Sequence, residues 1–325
     1  MKRSVYFIIG LFLMMYGLSL GVSTTLAQSY PSRPIQLIIP NVAGSIMDIN
    51  ARILSDELGK LLGTQVVIVT KPGGASILGT DTVAKSKKDG YTIGYISASG
   101  LIYTRITHPE TFPYDPDKDL EPLGLHLFIP LSVAVQASSP WKTFAELIDH
   151  AKKNPGKLRV STIGVGAIDH FNLEVMQSIT NTQFTMIPFK GGESVITALL
   201  GGHVEVTFDA FGKVKPHIDS GKLRVLLVSK KMAGYPDIPT AMDLGYKQGL
   251  LSTWFAFYAP SGLPEDVKKT LVTAIEKAVK NPELKAKAEK LGFVVDYKSP
   301  AELNKLKKEE YEVAAALAAK MGLKK

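Results

Sequence analysis

The chain has 325 residues, a formal charge of +8, 45% hydrophobic and 21% charged residues, and no cysteine. That length suits one large or two medium globular domains, and the lack of Cys excludes disulfides, a lipidated cysteine anchor and any Cys-based metal site. The basic residues are spread along the chain, without the basic–aromatic interleaving or zinc-finger spacing of a nucleic-acid binder, so the charge reads as solubility and attraction of anionic ligands.

Met1-Lys2-Arg3 gives a positive start, and Ser4 to Val22 is apolar. Small residues at Thr25 and Ala27 follow, with a cut expected after Ala27; residues 1–27 therefore read as a secretory signal peptide. The rival reading is an uncleaved anchor, since the apolar run is nearly long enough to span a bilayer. The strand IQLIIP comes next, then the turn NVAGSIMD and a helix carrying Ile49, Ile53, Leu54, Leu58, Leu61 and Leu62. Gly63 is placed to stop that helix in the left-handed conformation. VVIVT is a short strand, KPGGAS a second glycine turn, Ile77 to Lys85 a helix, and TIGYIS a third strand.

The middle of the chain repeats this order. KLRVSTI is a strand, GVGAIDH a glycine turn, FNLEVMQSIT a helix, FTMIPF a strand, KGGES a second glycine turn, VITALLGG a helix and VEVTFDA a strand. Two similar α/β halves are the simplest account. Pro- and Asp-rich sequence from Pro113 to Thr143, with one apolar run at LSVAVQ, joins the halves. A second long segment leads to the strand WFAFYA, a helix from Pro264 and a final helix from about Pro300. The expected architecture is an α/β, two-lobed clamshell with two crossover connections and a ligand cleft between the lobes. Lobe 1 takes residues 28–125 and 250–325, and lobe 2 takes 126–249.

Parallel strands put their glycine turns at the carboxyl edges of the sheets, where open α/β folds bind ligands. A helix N-terminus there offers unpaired N–H groups and about half a positive charge. Four such turns around one cleft suit a carboxylate or phosphate without any Arg. Enzyme motifs fare badly. GVGAID has Asp169 where a dinucleotide fingerprint needs its third Gly or Ala, and KPGGAS lacks the G-K-[ST] ending of a phosphate loop. The six histidines, 108, 126, 150, 170, 203 and 217, do not pair at metal-ligand spacing. No metal, cofactor or catalytic residue is expected.

Asp48 opens a helix, where capping and ligand contact compete. His170 follows a glycine turn and is able to donate to a ligand or to bond across its own loop. Lys190 precedes Gly191 and is placed to meet an anion. Asp209 ends the strand VEVTF, as a ligand contact or as the cap of the next helix.

YPSRPI, DGYT, NPGKL, PFKGG, LLGGHVEV with FD, GKLR, PDIPT and WFAFYAPSGLP occur in this order along nearly the whole chain after residue 27. On these landmarks the chain resembles the Bug-family extracytoplasmic solute receptors of tripartite tricarboxylate transporters. The resemblance implies a two-lobed, type II-like periplasmic binding protein that captures a small carboxylate and delivers it to membrane transport subunits; a monomer with no nucleic-acid partner is expected. It also implies first-lobe contacts from Val42, Ala43, Gly44, Ser45, Ile46, Met47 and Asp48, from Gly74, Ala75 and Ser76, and from Ser97, Ala98 and Ser99. Second-lobe contacts are implied from Gly164, Val165, Gly166, Ala167, Ile168, Asp169 and His170, from Lys190 and Gly191, and from Asp209.

The first turn departs from the family's usual aromatic-Ala-Ala-Gly-Gly-Gly-Thr-Asp at Ser45, Ile46 and Met47. Ile77 stands in place of an Asn, and Ile168-Asp169 in place of a Pro-Ser pair. Ile46, Met47 and Ile77 make the first lobe more apolar, so an apolar-bodied or aromatic carboxylate is expected. Asp169 opens the alternative of an amino-bearing ligand. Two other functions compete: a secreted α/β hydrolase using Ser45 or Ser76, which lacks an evident base beside either, and a receptor that presents its ligand to a signalling protein.

Overall fold

A computed structural model describes residues 30–189 and 192–323; the expected signal peptide, Lys190 and Gly191 lie outside the described residues. The unit that begins at Arg33 is compact and carries two sheets.

The first half of the chain runs β1 (Ile35–Ile39), α1 (Ile46–Leu62), β2 (Val66–Thr70), α2 (Ile77–Ala84) and β3 (Thr92–Ser97). A π-helical turn, Ser99–Tyr103, and the short α3 (Thr104–Thr107) lead to β4 (Leu120–Ile129). The chain then builds β5 (Leu131–Gln136), α4 (Phe144–Lys153), β6 (Arg159–Thr162), α5 (Ile168–Thr180), β7 (Thr185–Pro188), α6 (Gly192–Leu200), β8 (Val206–Ala210), α7 (Phe211–Asp219) and β9 (Leu223–Val228). It closes with β10 (Thr253–Pro260), α8 (Glu265–Val279), α9 (Pro282–Lys290), β11 (Val294–Lys298) and α10 (Pro300–Lys320).

The two sheets share one wiring. The six-stranded sheet reads β2-β1-β3-β10-β4-β11 and the five-stranded sheet β7-β6-β8-β5-β9. In each, three parallel strands are followed by an antiparallel strand, β10 beside β3 and β5 beside β8. The repeat read from the sequence is thus a repeat of topology. Each set of parallel strands points its carboxyl ends, and its glycine turns, at one sheet edge.

Local chemistry sets the helix ends. Ser45 caps α1 by accepting the Asp48 N–H, and Gly63 ends it at φ +67. Reciprocal capping boxes open α4 (Thr143 with Glu146) and α10 (Ser299 with Glu302). The buried face of α1 is rotated from the expected one. Met47, Ala51, Leu54, Leu58 and Leu62 are buried, whereas Ile49 and Leu61 are exposed. Spacings of three and four from Met47 trace a continuous stripe, while Ile49 lies two residues, about 200°, away from it.

The connection from Pro113 to Thr143 holds more than the single strand expected, because β4 also lies in it. Pro122 and Gly124 interrupt the period of β4, and its register with β10 shifts twice along the pair. Gly124 is needed there: a Cβ would stand 3.0 Å from the Tyr297 ring.

One large apolar cluster spans both sheets, from Ile38, Val83 and Ile102 to Phe171, Val206 and Phe208. Tyr103 and Phe171 meet at 5.6 Å between ring centres. The fully buried Asn172 side chain donates to the Leu251 carbonyl (3.1 Å) and accepts the Leu251 N–H (2.7 Å). This fixes the chain to α5 just before β10 begins.

Candidate functional site

In the first turn, Gly44 has φ +77 and its N–H donates to Asp48 Oδ2 at 2.9 Å. Arg52, one turn along α1, donates to the same oxygen at 3.0 Å. Asp48 is 2% exposed, and the Arg52 guanidinium holds its carboxyl below the usual range despite burial. Its second oxygen, Oδ1, is buried without a hydrogen-bond partner among the described residues. Val42 and Ser45 spend their N–H groups within the turn. The first-turn N–H groups of α1, on Ile46 and Met47, are the ones a helix leaves unsatisfied.

The second turn is built from successive left-handed residues: Gly73 (φ +138), Gly74 (φ +56), Ala75 (φ +50) and Ser76 (φ +80). Ala75 and Ser76 pay a steric cost there that glycine avoids. Two side-chain bonds hold the strained pair, Thr80 Oγ1 to the Ser76 carbonyl (2.7 Å) and Thr104 Oγ1 to the Ala75 carbonyl (3.4 Å). The backbone of Gly74 and Ala75 stays exposed.

In the second lobe the turn after β6 copies the first. Gly166 has φ +80, and its N–H donates to His170 Nδ1 at 3.0 Å. Gly-Ser-Ile-Met-Asp at 44–48 therefore superposes in role on Gly-Ala-Ile-Asp-His at 166–170, with a buried acceptor four residues after each glycine. Asp169 is committed elsewhere. Its carboxylate accepts the N–H of Ile163 and, at 3.0 Å, that of His170. Burial, with the charge of Asp209 nearby, pushes its pKa up to about 6. Asp209 accepts the Ala210 N–H at 2.7 Å and lies 3.7 Å from Lys213 Nζ, but it does not cap α7, whose N-cap position is Ala210 with no side-chain bond.

These turns are contiguous. A Cβ on Gly79 would come within 2.8 Å of both Pro40, which leads into the first turn, and the Lys71 carbonyl, which leads into the second. A Cβ on Gly100 would stand 3.2 Å from Ser76 Cβ, and Thr104 bonds to Ala75. A Cβ on Gly166 would stand 2.9 Å from Thr107 Cγ2. The segment 99–107 thus links the lobe 1 turns to the first turn of lobe 2.

The expected residues do not all present side chains to this edge. Met47 is 2% exposed and belongs to the core, so it does not make the turn more apolar; Ile77 is partly buried against the core. Ser97 and Ala98 are buried beneath the edge, and Ser99 is partly accessible. Apolar groups that do face out at the turns include Val42 (56% exposed), Ile163 (47%) and Val165 (63%), and Leu78, just after the second turn, is exposed as well. Ser45 Oγ is engaged as a helix cap and Ser76 is held in a left-handed turn, so neither is presented beside a base as a nucleophile. The sequence reading missed Arg52, although its place four residues after Asp48 is a legible ion-pair spacing. It also missed Thr107, whose role depends on a contact between lobes.

The family described as tripartite tricarboxylate transporter family receptor matches residues 50–323. This chain belongs to that receptor family. It is 33% identical to protein BugT of Bordetella pertussis over 84% of each chain. It is similar in structure to a TctC solute binding protein from Polaromonas, with TM-score 0.81 and 25% identity over 90% of this chain and 100% of the other. An R. palustris protein solved with adipate is similar at TM-score 0.73 and 25% identity, over 90% and 98%. The two-lobed α/β fold and the solute-receptor function are those of the family, whose receptors are periplasmic and are not enzymes. No helix among the described residues is long and apolar enough to cross a membrane.

Proposed function

We propose that this receptor closes its lobes on a small carboxylate with an apolar body, and passes it to the membrane subunits of a tripartite tricarboxylate transporter. The observation that carries this reading is the set of turns at the sheet edge, which leaves helix-terminal N–H groups of Ile46 and Met47 and the exposed backbone of Gly74 and Ala75 beside outward aliphatic side chains. Such donors hold a carboxylate at little reorganisation cost. Val42, Ile163 and Val165 gain burial when a hydrocarbon chain lies against them, roughly 25 cal/mol per Å² covered. The adipate seen in a relative has this make-up, a short methylene chain between carboxylates. Asp48 Oδ1 is placed to accept from a protonated ligand group or an ordered water.

The proposed contacts are 42–48, 74–76, 97–99, 164–170, Lys190 with Gly191, and Asp209, with Ser97 and Ala98 acting from beneath. The lobes are taken as 28–125 with 250–325 against 126–249. β4 stays in the first sheet as far as Ile129 and β5 begins the second at Leu131, so the first crossing is put at Pro130, a few residues beyond 125, while the Leu251 clamp supports a return near 250. The receptor is exported with cleavage after Ala27 and acts as a monomer, without catalysis. In a thermal-shift comparison, adipate or an aromatic carboxylate raises the Tm more than citrate does. A larger shift with citrate would sink the apolar-body reading, and an equal shift in Val42→Asn/Val165→Asn would sink the role of those side chains.

A further inference from the structure

The two lobes use one turn with two different acceptors. Gly44 donates to Asp48 Oδ2 at 2.9 Å and Gly166 donates to His170 Nδ1 at 3.0 Å, both from a left-handed glycine and both to a buried side chain four residues on. Asp48 is an anion paired with Arg52. His170 is able to accept at Nδ1 only while that nitrogen carries no proton, so its single proton must sit on Nε2. We propose that His170 is the positioning residue of the lobe 2 turn, holding Gly166 and the donors beside it while neutral and releasing them when protonated, so that ligand affinity falls with acidification. The inference deepens the receptor reading and rests on it for its binding arm.

The surroundings favour the neutral ring. Burial lowers its affinity for a proton. The charged groups around it are Asp169, whose oxygens are spent on backbone N–H groups, and Glu174 on its own helix, 4.0 Å from Nε2. On β8 the acid is Asp209, associated with Lys213, and on α10, which packs along α5, it is Glu310, bonded to Trp254. Thr107, the neighbour across the lobes, carries no charge. Gly166 has a left-handed backbone, and Thr107 Cγ2 lies 2.9 Å from where a Cβ on it would stand, so no other residue type fits there without strain.

The test uses the full chain as wild type, His170→Asn and His170→Ala from pH 7.5 down to 4, since burial moves the titration of the ring below its ordinary range. Asn places an oxygen acceptor near the Nδ1 position and does not titrate. Nitrogen NMR of the imidazole should show Nδ1 unprotonated. The Gly166 amide protection factor should fall in the wild type as His170 titrates, stay high in His170→Asn and be low throughout in His170→Ala. With adipate as the probe, wild-type affinity should fall about fivefold further than that of His170→Asn over this range, the scale of one hydrogen bond. A proton on Nδ1 at pH 7.5, Gly166 protection that is identical in wild type and His170→Asn at every pH, or affinity that rises on acidification in the wild type alone would each overturn the inference. If adipate binds no variant, the dicarboxylate reading fails, and the imidazole and Gly166 measurements still decide the role of His170. Should His170→Ala not fold, the comparison with His170→Asn carries the test.

Discussion

Gly44 and Gly166 show how far a residue type is legible and where its surroundings take over. Both read from the sequence as turn glycines, and both have φ near +80°. A methyl group on Gly44 meets open space, so Gly44→Ala costs about 1 kcal/mol, the left-handed backbone penalty alone. On Gly166 the same methyl also meets Thr107 at 2.9 Å, so Gly166→Ala costs roughly 1–3 kcal/mol more. Urea denaturation of the two variants should separate them, and Thr107→Ala should recover part of the loss in Gly166→Ala but none in Gly44→Ala. Ser45→Ala, which removes the cap of α1, should cost about 1 kcal/mol in the same assay. Equal losses for the two glycines would mean that the approach of Thr107 carries no energetic weight.

At the scale of elements, the glycine turns and short strands were legible, because period and punctuation are local. The buried stripe of α1 was misplaced by counting every apolar residue as inward; a helix buries only the residues on one stripe, and Ile49 and Leu61 fall off it. Strand β4 was hidden by Pro122 and Gly124, which break alternation yet fit a bulged strand between β10 and β11. The clamp between α5 and the start of β10 was invisible, because Asn172 and Leu251 lie 79 residues apart. Asn172→Ala leaves both Leu251 backbone groups unpaired in a buried place and should cost about 2–4 kcal/mol. Guanidinium unfolding checks this; a loss under 1 kcal/mol would mean that water replaces the side chain.

At the scale of the whole molecule, buried ionisable groups make stability depend on pH. Glu310 on α10 accepts from the Trp254 indole at 2.7 Å, and burial pushes its pKa up to about 8. A carboxyl whose folded pKa is raised contributes stability that is fully present below its ordinary pKa and is lost as pH rises through the folded value. Glu310→Gln keeps the acceptor and removes the charge, so it should leave Tm nearly unchanged at pH 4.5 and raise it at pH 8.5. An equal shift at both pH values would contradict this. His126 works in the other direction: it is fully buried against Tyr95, its pKa is lowered to about 3, and it withdraws stability as pH falls below about 6.5. The two together place the stability maximum between acid and alkaline limits.

The sequence by itself determined the repeat of strand, glycine turn and helix, the family landmarks, and the residues at the carboxyl ends of the strands, because each depends on neighbours a few residues away. Tertiary structure alone decided which of those residues face outward. Met47 and Ala98 lie on turns that bind by reputation yet point inward, since a one-residue change of phase around a helix or strand moves a side chain from cleft to core. It also decided that Asp48 and His170 hold equivalent bonds, which no alignment of residue types predicts, because an anion and a neutral imidazole share only the ability to accept an N–H.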